Sequence, residues 1–370
     1  MNRAAQTVQA AVMHEVGSPL RVEPVVVAAP KGREVLVRSV AAGLCHSDLL
    51  FLDGLWPHPV PTILGHEVAG VVEAIGPDVS SVAVGDHVLG CAGGGCHECH
   101  FCVIGRPIIC TNRNHDRAPD DEPRLRLTDG TPVTQYGQLS AFAELMLVHE
   151  HAVVKIDADV DLHLASIVGC GVATGLGAVL NTARVPVGAT VVVTGVGGVG
   201  LNAVQGARIA GASQVIAVDV VPGKLEFALA VGATSVVDAS ATSAVEAVRE
   251  LTNGGADYVF ETSGVPAVAE SCMEMVGNGG TIVLIGIPSR DAVISIKPAH
   301  LIPLEVAILT SHVGSLRPTV DLPRYINLAK QGLLRLEPLV SGKFSLAQIN
   351  EGFAAMPSGS TARSIVVFDS

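Results

Sequence analysis

The sequence is poor in positive charge: 23 lysines and arginines stand against 35 aspartates and glutamates in 370 residues, a formal net charge of −12. Without a basic footprint the chain offers no surface suited to nucleic acid or to an anionic membrane, which leaves a small molecule as the expected partner. Long apolar runs are missing too. Hydrophobic residues make up 49% of the chain, but they fall in short Val-, Ala- and Gly-rich stretches broken by Asp, Gly or Pro, and none reaches the roughly 20 residues needed to span a bilayer. The opening stretch MNRAAQTVQAAVMHE has no sustained apolar core followed by a small-residue cleavage site. A secretory signal is therefore not expected; a reducing cytoplasm is, and it disfavours disulfides. No internal repeat or low-complexity tract is present. The length allows one large or two ordinary cores, with two domains as the default.

What the chain does have is cysteine at metal-binding spacing. Cys96, Cys99, Cys102 and Cys110 form a C-x2-C-x2-C-x7-C run, and thiolates this close on a tight, glycine-flanked loop supply the tetrahedron that zinc prefers. A pair of disulfides, an iron–sulfur cluster and free thiols are the competing readings. A zinc held by four thiolates is closed: it holds a lobe together and by itself implies no chemistry.

From about Ala10 to Lys155 short alternating or β-branched runs, such as Glu34 to Val40, Val68 to Ile75 and Asp86 to Leu89, are separated by Gly, Pro and Asp, and read as an irregular all-β region carrying the metal cysteines. Residues 112–138 read as a polar surface insertion. From about Val172 to Ser311 apolar strands (Thr190 to Thr194, Gln214 to Asp219, Ser235 to Asp238, Tyr258 to Glu261, Thr281 to Ile285) alternate with helix-like stretches, which means a parallel sheet covered by helices. The final β-branched stretch, Ser364 to Phe368, is expected to rejoin the first region.

Within the alternating region Gly195-Val196-Gly197-Gly198-Val199-Gly200 follows one strand and opens a helix, the context that a dinucleotide-binding G-x-G-x-x-G requires. Gly195, Gly197, Gly198 and Gly200 permit the tight turn and close backbone approach to a pyrophosphate, whose charge the helix N-terminus receives. About two dozen residues on, Asp219 ends the next strand, where its carboxylate accepts the adenosine ribose hydroxyls and repels a 2′-phosphate. NAD is therefore expected over NADP. Lys224 reaches the same ribose or is a solvated surface lysine.

Three further residues of types that can bind metal lie far apart, each in a glycine-rich setting: Cys45 in Ala42-Gly43-Leu44-Cys45-His46-Ser47-Asp48, His66 in Gly65-His66-Glu67-Val68-Ala69-Gly70, and Cys170 in Val168-Gly169-Cys170-Gly171. Singly, each has a bland explanation in core packing or a turn. With the four-cysteine run and the glycine fingerprint, in this order and spacing, the chain resembles the zinc-dependent medium-chain alcohol dehydrogenase family from about Ala11 to the C-terminus. The resemblance implies an α/β architecture: a GroES-like, mostly-β catalytic domain over residues 1–172 and 312–370, and a Rossmann doubly wound parallel-sheet coenzyme domain over 173–311. It implies two zincs per subunit, one structural and one catalytic. The catalytic zinc is held by Cys45, His66 and Cys170, has an open position, and activates an alcohol for hydride transfer to NAD. Glu67 matches an acidic neighbour that approaches the metal when water exchanges. Ser47 matches the hydroxyl that takes the alcohol proton, but Leu50 stands where many members have a relaying histidine. The proton is then expected to leave through His46 or through water.

His46 and Arg363 match contacts to the cofactor pyrophosphate, with an exposed histidine as the alternative for His46. Thr174, Val199, Ile285 and Ile287 match cofactor neighbours or are core packing. By the same resemblance Ser47, Leu50, Trp56, Ala92 and Phe142 line the substrate pocket. Ala92 replaces an aromatic ring of many members, so a bulky, apolar or aromatic primary alcohol or its aldehyde is expected over ethanol. Related activities are a thiol-adduct (hydroxymethyl-thiol) formaldehyde dehydrogenase, disfavoured because no cationic anchor lines this pocket, and a nicotinoprotein that keeps NAD(H) bound and uses an external acceptor. A zinc-free reductase would have no reason to keep Cys45, His66 and Cys170 together, and a non-catalytic zinc-stabilised binding protein would keep only the four-cysteine lobe. The apolar segment from Ile302 to His312 lies where the family's coenzyme domains pair. A homodimer is expected, with the 112–138 insertion matching the dimeric rather than the tetrameric branch.

Overall fold

The computed structural model describes residues 4–112, 115, 117–118, 120–356 and 363–368. The chain divides into two compact units, one of residues 1–170, 317–328 and 340–370, the other of 171–316 and 329–339.

The first unit is built on two sheets. A five-stranded sheet runs in the order Leu125–Leu127, Arg21–Val27, Gln6–Met13, Thr62–Ile63, Thr134–Gln135. Two of its strands come from the segment 112–138, read from the sequence as a surface loop. Leu125 and Val133 alternate with polar neighbours and are 2% and 5% exposed, so this stretch buries apolar side chains and pairs rather than standing in solvent. The larger sheet is ordered Val153–Ile156, His87–Cys91, Glu67–Ile75, Glu34–Gly43, Arg363–Val367, Val340–Ser345, and Leu145–His149 also pairs with Glu34–Gly43. The C-terminal strand thus returns to the first region, with Ile365 opposite Gly43 and Val367 opposite Ala41. Val35, Leu36, Val37 and Leu147, with Phe142 from the turn before the strand Leu145–His149, are buried in one core.

The second unit holds six parallel strands in the order Ser235–Asp238, Gln214–Asp219, Thr190–Thr194, Ala256–Glu261, Val276–Leu284, Ala307–Thr310. Val191, Val192 and Val193 are all fully buried. Successive residues of a strand point to opposite faces, so both faces of the sheet are covered, as a doubly wound sheet requires. The chain reverses direction of build-up between Thr190–Thr194 and Ala256–Glu261, the switch point at which such sheets bind ligands. The edge strand Ala307–Thr310 is exposed along its length.

Candidate active site

Two clusters of thiols converge in the first unit. Cys96, Cys99, Cys102 and Cys110 bring their sulfurs within 4.8 Å of one another. Cys96 Sγ is 3.9 Å from Cys102 Sγ, and Cys99 Sγ is 3.7 Å from Cys110 Sγ. A disulfide needs about 2.05 Å, and all four are free thiols. The separations match instead the edge, about 3.8 Å, of a tetrahedron with metal–sulfur bonds of about 2.3 Å. The amides of Glu98 and Cys99 donate to Cys96 Sγ and hold that thiol below its usual range, and the amides of Cys96 and Asn112 donate to Cys110 Sγ, while burial pushes the Cys102 thiol up to about 12.

The second cluster is Cys45, His66, Glu67 and Cys170. Cys45 caps the helix His46–Leu52, His66 and Glu67 sit at the head of the strand Glu67–Ile75, and Cys170 lies in the helical turn Val168–Val172. Asp48, quoted in the sequence motif without a role, organises the group. Its Oδ1 accepts from His66 Nδ1 at 3.1 Å and from the Gly65 amide at 3.3 Å, while its Oδ2 accepts from the Cys45 amide at 3.2 Å. Holding Nδ1–H orients the ring so that its other nitrogen meets the Cys45 thiol, the orientation of a metal-ligating histidine. The local signal was present: Asp48 stands three residues after the N-cap, at capping-box spacing. The hydrogen bond from Cys170, together with the His66 ring, holds the Cys45 thiol well below the usual thiol range. Two sulfurs and one imidazole nitrogen are a donor set that suits zinc and leaves a fourth position open.

Glu67 and Arg363 are both buried, and Arg363 Nη2 donates to Glu67 Oε1. Among the described residues Glu67 Oε2 and Arg363 Nε have no hydrogen-bond partner. Burial pushes the Glu67 carboxyl up to about 7 against the pull of Arg363. The residue assigned by resemblance to the cofactor pyrophosphate thus lies against the acidic neighbour of the metal cluster.

Ser47 Oγ is 3.6 Å from Cys45 Sγ. His46 is exposed, Leu50 half-buried and Trp56 37% exposed. Ala92 is half-buried, and a Cβ on Gly137 would sit 3.4 Å from both Ala92 Cβ and His66 Cβ, so Gly137 lies close to both residues. Phe142, read by resemblance as lining the pocket, belongs to the buried core cluster. It is fully buried; its amide donates to the Leu64 carbonyl, and its ring packs edge-on against Phe353 with centroids 5.7 Å apart. The ring that does face His66 is Tyr136, at 5.6 Å and 81°, backed by Phe51 at 4.8 Å and His58 at 5.6 Å. Tyr136 went unnoticed because it falls in the segment read as a loop.

In the second unit the glycine loop joins Thr190–Thr194 to the helix Gly198–Ile209. Gly195 has φ +80°, its would-be Cβ lies 3.0 Å from Ser263 Cβ, and a Cβ on Gly200 would overlap the Gly195 carbonyl. Both positions need glycine. Asp219 Oδ2 accepts from the Val196 amide at 2.8 Å and Oδ1 from the Val221 amide at 3.0 Å, which ties the carboxylate to the loop. Lys224 is half-buried in the first turn of Pro222–Ala230. Val199 is half-buried, and its carbonyl closely approaches Gly175, the residue after the buried Thr174. Ile285 is 8% and Ile287 50% exposed at the end of the strand Val276–Leu284.

Residues 31–158 match the model of the alcohol dehydrogenase GroES-like domain, and residues 198–331 that of the zinc-binding dehydrogenase domain. Similar proteins include the S-(hydroxymethyl)glutathione dehydrogenase of Paracoccus denitrificans, 37% identical over 97% of this chain and 99% of the relative. The NDMA-dependent alcohol dehydrogenase of Amycolatopsis methanolica is also 37% identical, over 97% and 98%. The crystal structure of benzyl alcohol dehydrogenase from Acinetobacter calcoaceticus superposes with a TM-score of 0.93 at 32% identity, covering 98% of this chain and 100% of that one.

Proposed function

Because the chain belongs to the zinc-dependent medium-chain alcohol dehydrogenases, with their GroES-like and Rossmann domains, and is an oxidoreductase, we propose that it interconverts bulky, apolar or aromatic primary alcohols and their aldehydes with NAD(H). The observation that carries this reading is the donor set Cys45, His66 and Cys170, with His66 oriented by Asp48 and Gly137 close to both His66 and Ala92.

Residues 1–172 and 312–370 are the catalytic part in this reading, and 173–311 hold the cofactor. Zinc at Cys45, His66 and Cys170 supplies a Lewis acid for the alcohol oxygen, and zinc at Cys96, Cys99, Cys102 and Cys110 holds the lobe. Ser47, beside Cys45, takes the alcohol proton. Leu50 offers no onward relay, so the proton leaves through His46 or water; an unchanged imidazole-like step in the pH–rate profile of His46→Ala would remove His46 from that route. Asp219 accepts the ribose hydroxyls, and Tyr136 replaces Phe142 as the aromatic wall facing the metal cluster. A panel of ethanol, benzyl and terpenoid alcohols with NAD and NADP tests the assignment, and ethanol turnover equal to that of benzyl alcohol would refute it.

The thiol-adduct reading draws support from the Paracoccus relative; against it, none of Ser47, Leu50, Trp56, Ala92 and Tyr136 is cationic. Retention of NAD(H) through purification, read by absorbance, would favour the nicotinoprotein reading. The exposed edge strand Ala307–Thr310, with Ile308 and Leu309 each 36% and nearby Ile302 72% exposed, supports a homodimer pairing edge to edge. A monomer by light scattering would refute that. Among the described residues no helix is long and apolar enough to cross a membrane, which accords with the cytoplasmic location we propose.

A further inference from the structure

A third group of metal-binding side chains lies beside the four-cysteine lobe and serves none of the chemistry above. His149 ends the strand Leu145–His149, His151 lies in the turn Glu150–Ala152 that follows, and His115 comes from the segment after Cys110. One ring nitrogen of each lies within 4.8 Å of one in each of the others. His115 stacks on His149 with centroids 4.2 Å apart at 13°, and His151 meets His149 at 4.5 Å and 72°. The backbone fixes this arrangement from the lobe side. A Cβ on Gly94 would overlap the His151 carbonyl, so the turn packs directly on the lobe, and His97, from the lobe itself, stacks on His151 at 3.9 Å and 12°.

We propose that His115, His149 and His151 form a third metal site, open to solvent and taking a divalent transition ion such as zinc. His115 Nε2 donates to the Gly95 carbonyl at 3.1 Å, which leaves Nδ1 with its lone pair and gives the ring the outer partner typical of a ligating histidine. His151 Nδ1 is buried without a hydrogen-bond partner, an orphaned nitrogen that an ion would satisfy. Two contacts compete and must yield or turn: Arg33 Nη2 donates to His151 Nε2 at 3.2 Å, and the His151 amide donates to His149 Nδ1 at 3.2 Å. Arg33 is paired with Glu150 at 2.6 Å, whereas Arg124 shares Glu34 with Arg117, so the ion binds against one net positive charge. Three neutral imidazoles suit zinc, copper or nickel but bind more weakly than thiolate sets. An ion here would clip the segment after Cys110 to the end of the strand Leu145–His149.

The test separates this site from the thiolate sites by affinity. The protein is dialysed against a mild chelator to constant metal content, counted by mass spectrometry, and titrated with zinc chloride in a calorimeter near neutral pH. One further zinc per chain is expected, in the micromolar range. His115→Asn and His149→Asn should each weaken it by about tenfold or more, since losing a ligand costs at least as much as losing its outer partner. The metal content before titration should stay unchanged in both variants. Absence of a further zinc, or its persistence in both ligand variants, overturns the proposal. A second readout needs no variant: zinc should shield His115, His149 and His151 of the unmodified protein from diethylpyrocarbonate, mapped by peptide mass. Equal labelling with and without zinc also overturns it.

Discussion

Glu34 opens the central strand of the first unit and is 5% exposed, yet it carries a full set of partners. Its Oε1 accepts from Arg117 Nε at 2.9 Å and Arg124 Nε at 2.8 Å; its Oε2 accepts from Arg117 Nη2 at 2.6 Å and the Lys31 amide at 2.9 Å. Arg117 and Arg124 are themselves 7% and 6% exposed at the side chain, so this is a buried triad that holds the segment after Cys110 onto the strand. Glu34→Gln keeps the shape but leaves two buried guanidiniums facing a neutral amide, and removing one partner of a buried pair costs about 3–5 kcal/mol. Denaturant unfolding followed by Trp56 fluorescence reads the first unit alone, because that is the only tryptophan of the chain. Burial by itself would raise the Glu34 carboxyl, but the hydrogen bonds from Arg117 and Arg124 outweigh it and hold it below its ordinary value. A depressed folded-state pKa contributes stability above the unfolded value of about 4.3, and that stability is lost as pH falls through the folded value. The gap between wild type and Glu34→Gln should therefore be full at neutral pH and close on acidification. A neutral-pH difference under about 0.5 kcal/mol, the scale of an ordinary surface substitution, or a gap that persists undiminished in acid, would refute the reasoning.

Asp219→Asn removes a charged acceptor worth about 1.5–3 kcal/mol; the KM for NAD should rise about tenfold or more and the preference over NADP should narrow, and unchanged constants for both would exclude the ribose role. Cys110→Ser should lower metal content by one ion per chain and depress the thermal midpoint, with activity at low temperature surviving longer than heat resistance; full metal content at an unchanged midpoint would contradict a structural site. Phe142→Ala should cost about 3–5 kcal/mol of stability, as for a fully buried ring, while leaving the ranking of alcohols alone. Tyr136→Ala should do the reverse, and a substrate panel run beside thermal melts distinguishes the two.

The parts of this molecule legible in the sequence are those whose chemistry is local. Thr190–Thr194, Gln214–Asp219 and Ser235–Asp238 occupy the bounds their composition predicts, because a β-branched run between glycines and aspartates has one economical conformation. The strand read from Thr281 begins earlier, at Val276. Gly277-Asn278-Gly279-Gly280 reads as a turn, yet Val276 still pairs with Ala256 across a register shift. Cys45, His66 and Cys170 were findable because few residue types bind metal, whereas Asp48, which orients the imidazole, acts through a contact to His66 that no spacing encodes. Phe142 and Tyr136 show the limit most plainly. Both are aromatic residues of one short stretch, and only the pairing of that stretch with Leu64 and Gly65 decides which ring enters the core and which faces the metal cluster. The same holds for Arg363 and Glu67, 296 residues apart. Their contact exists because Arg363–Val367 pairs with Glu34–Gly43, which in turn pairs with Glu67–Ile75. A buried charge pair beside the cluster of Cys45, His66 and Cys170 is therefore a product of sheet order, and disrupting the C-terminal strand should disturb that cluster as surely as altering one of its members.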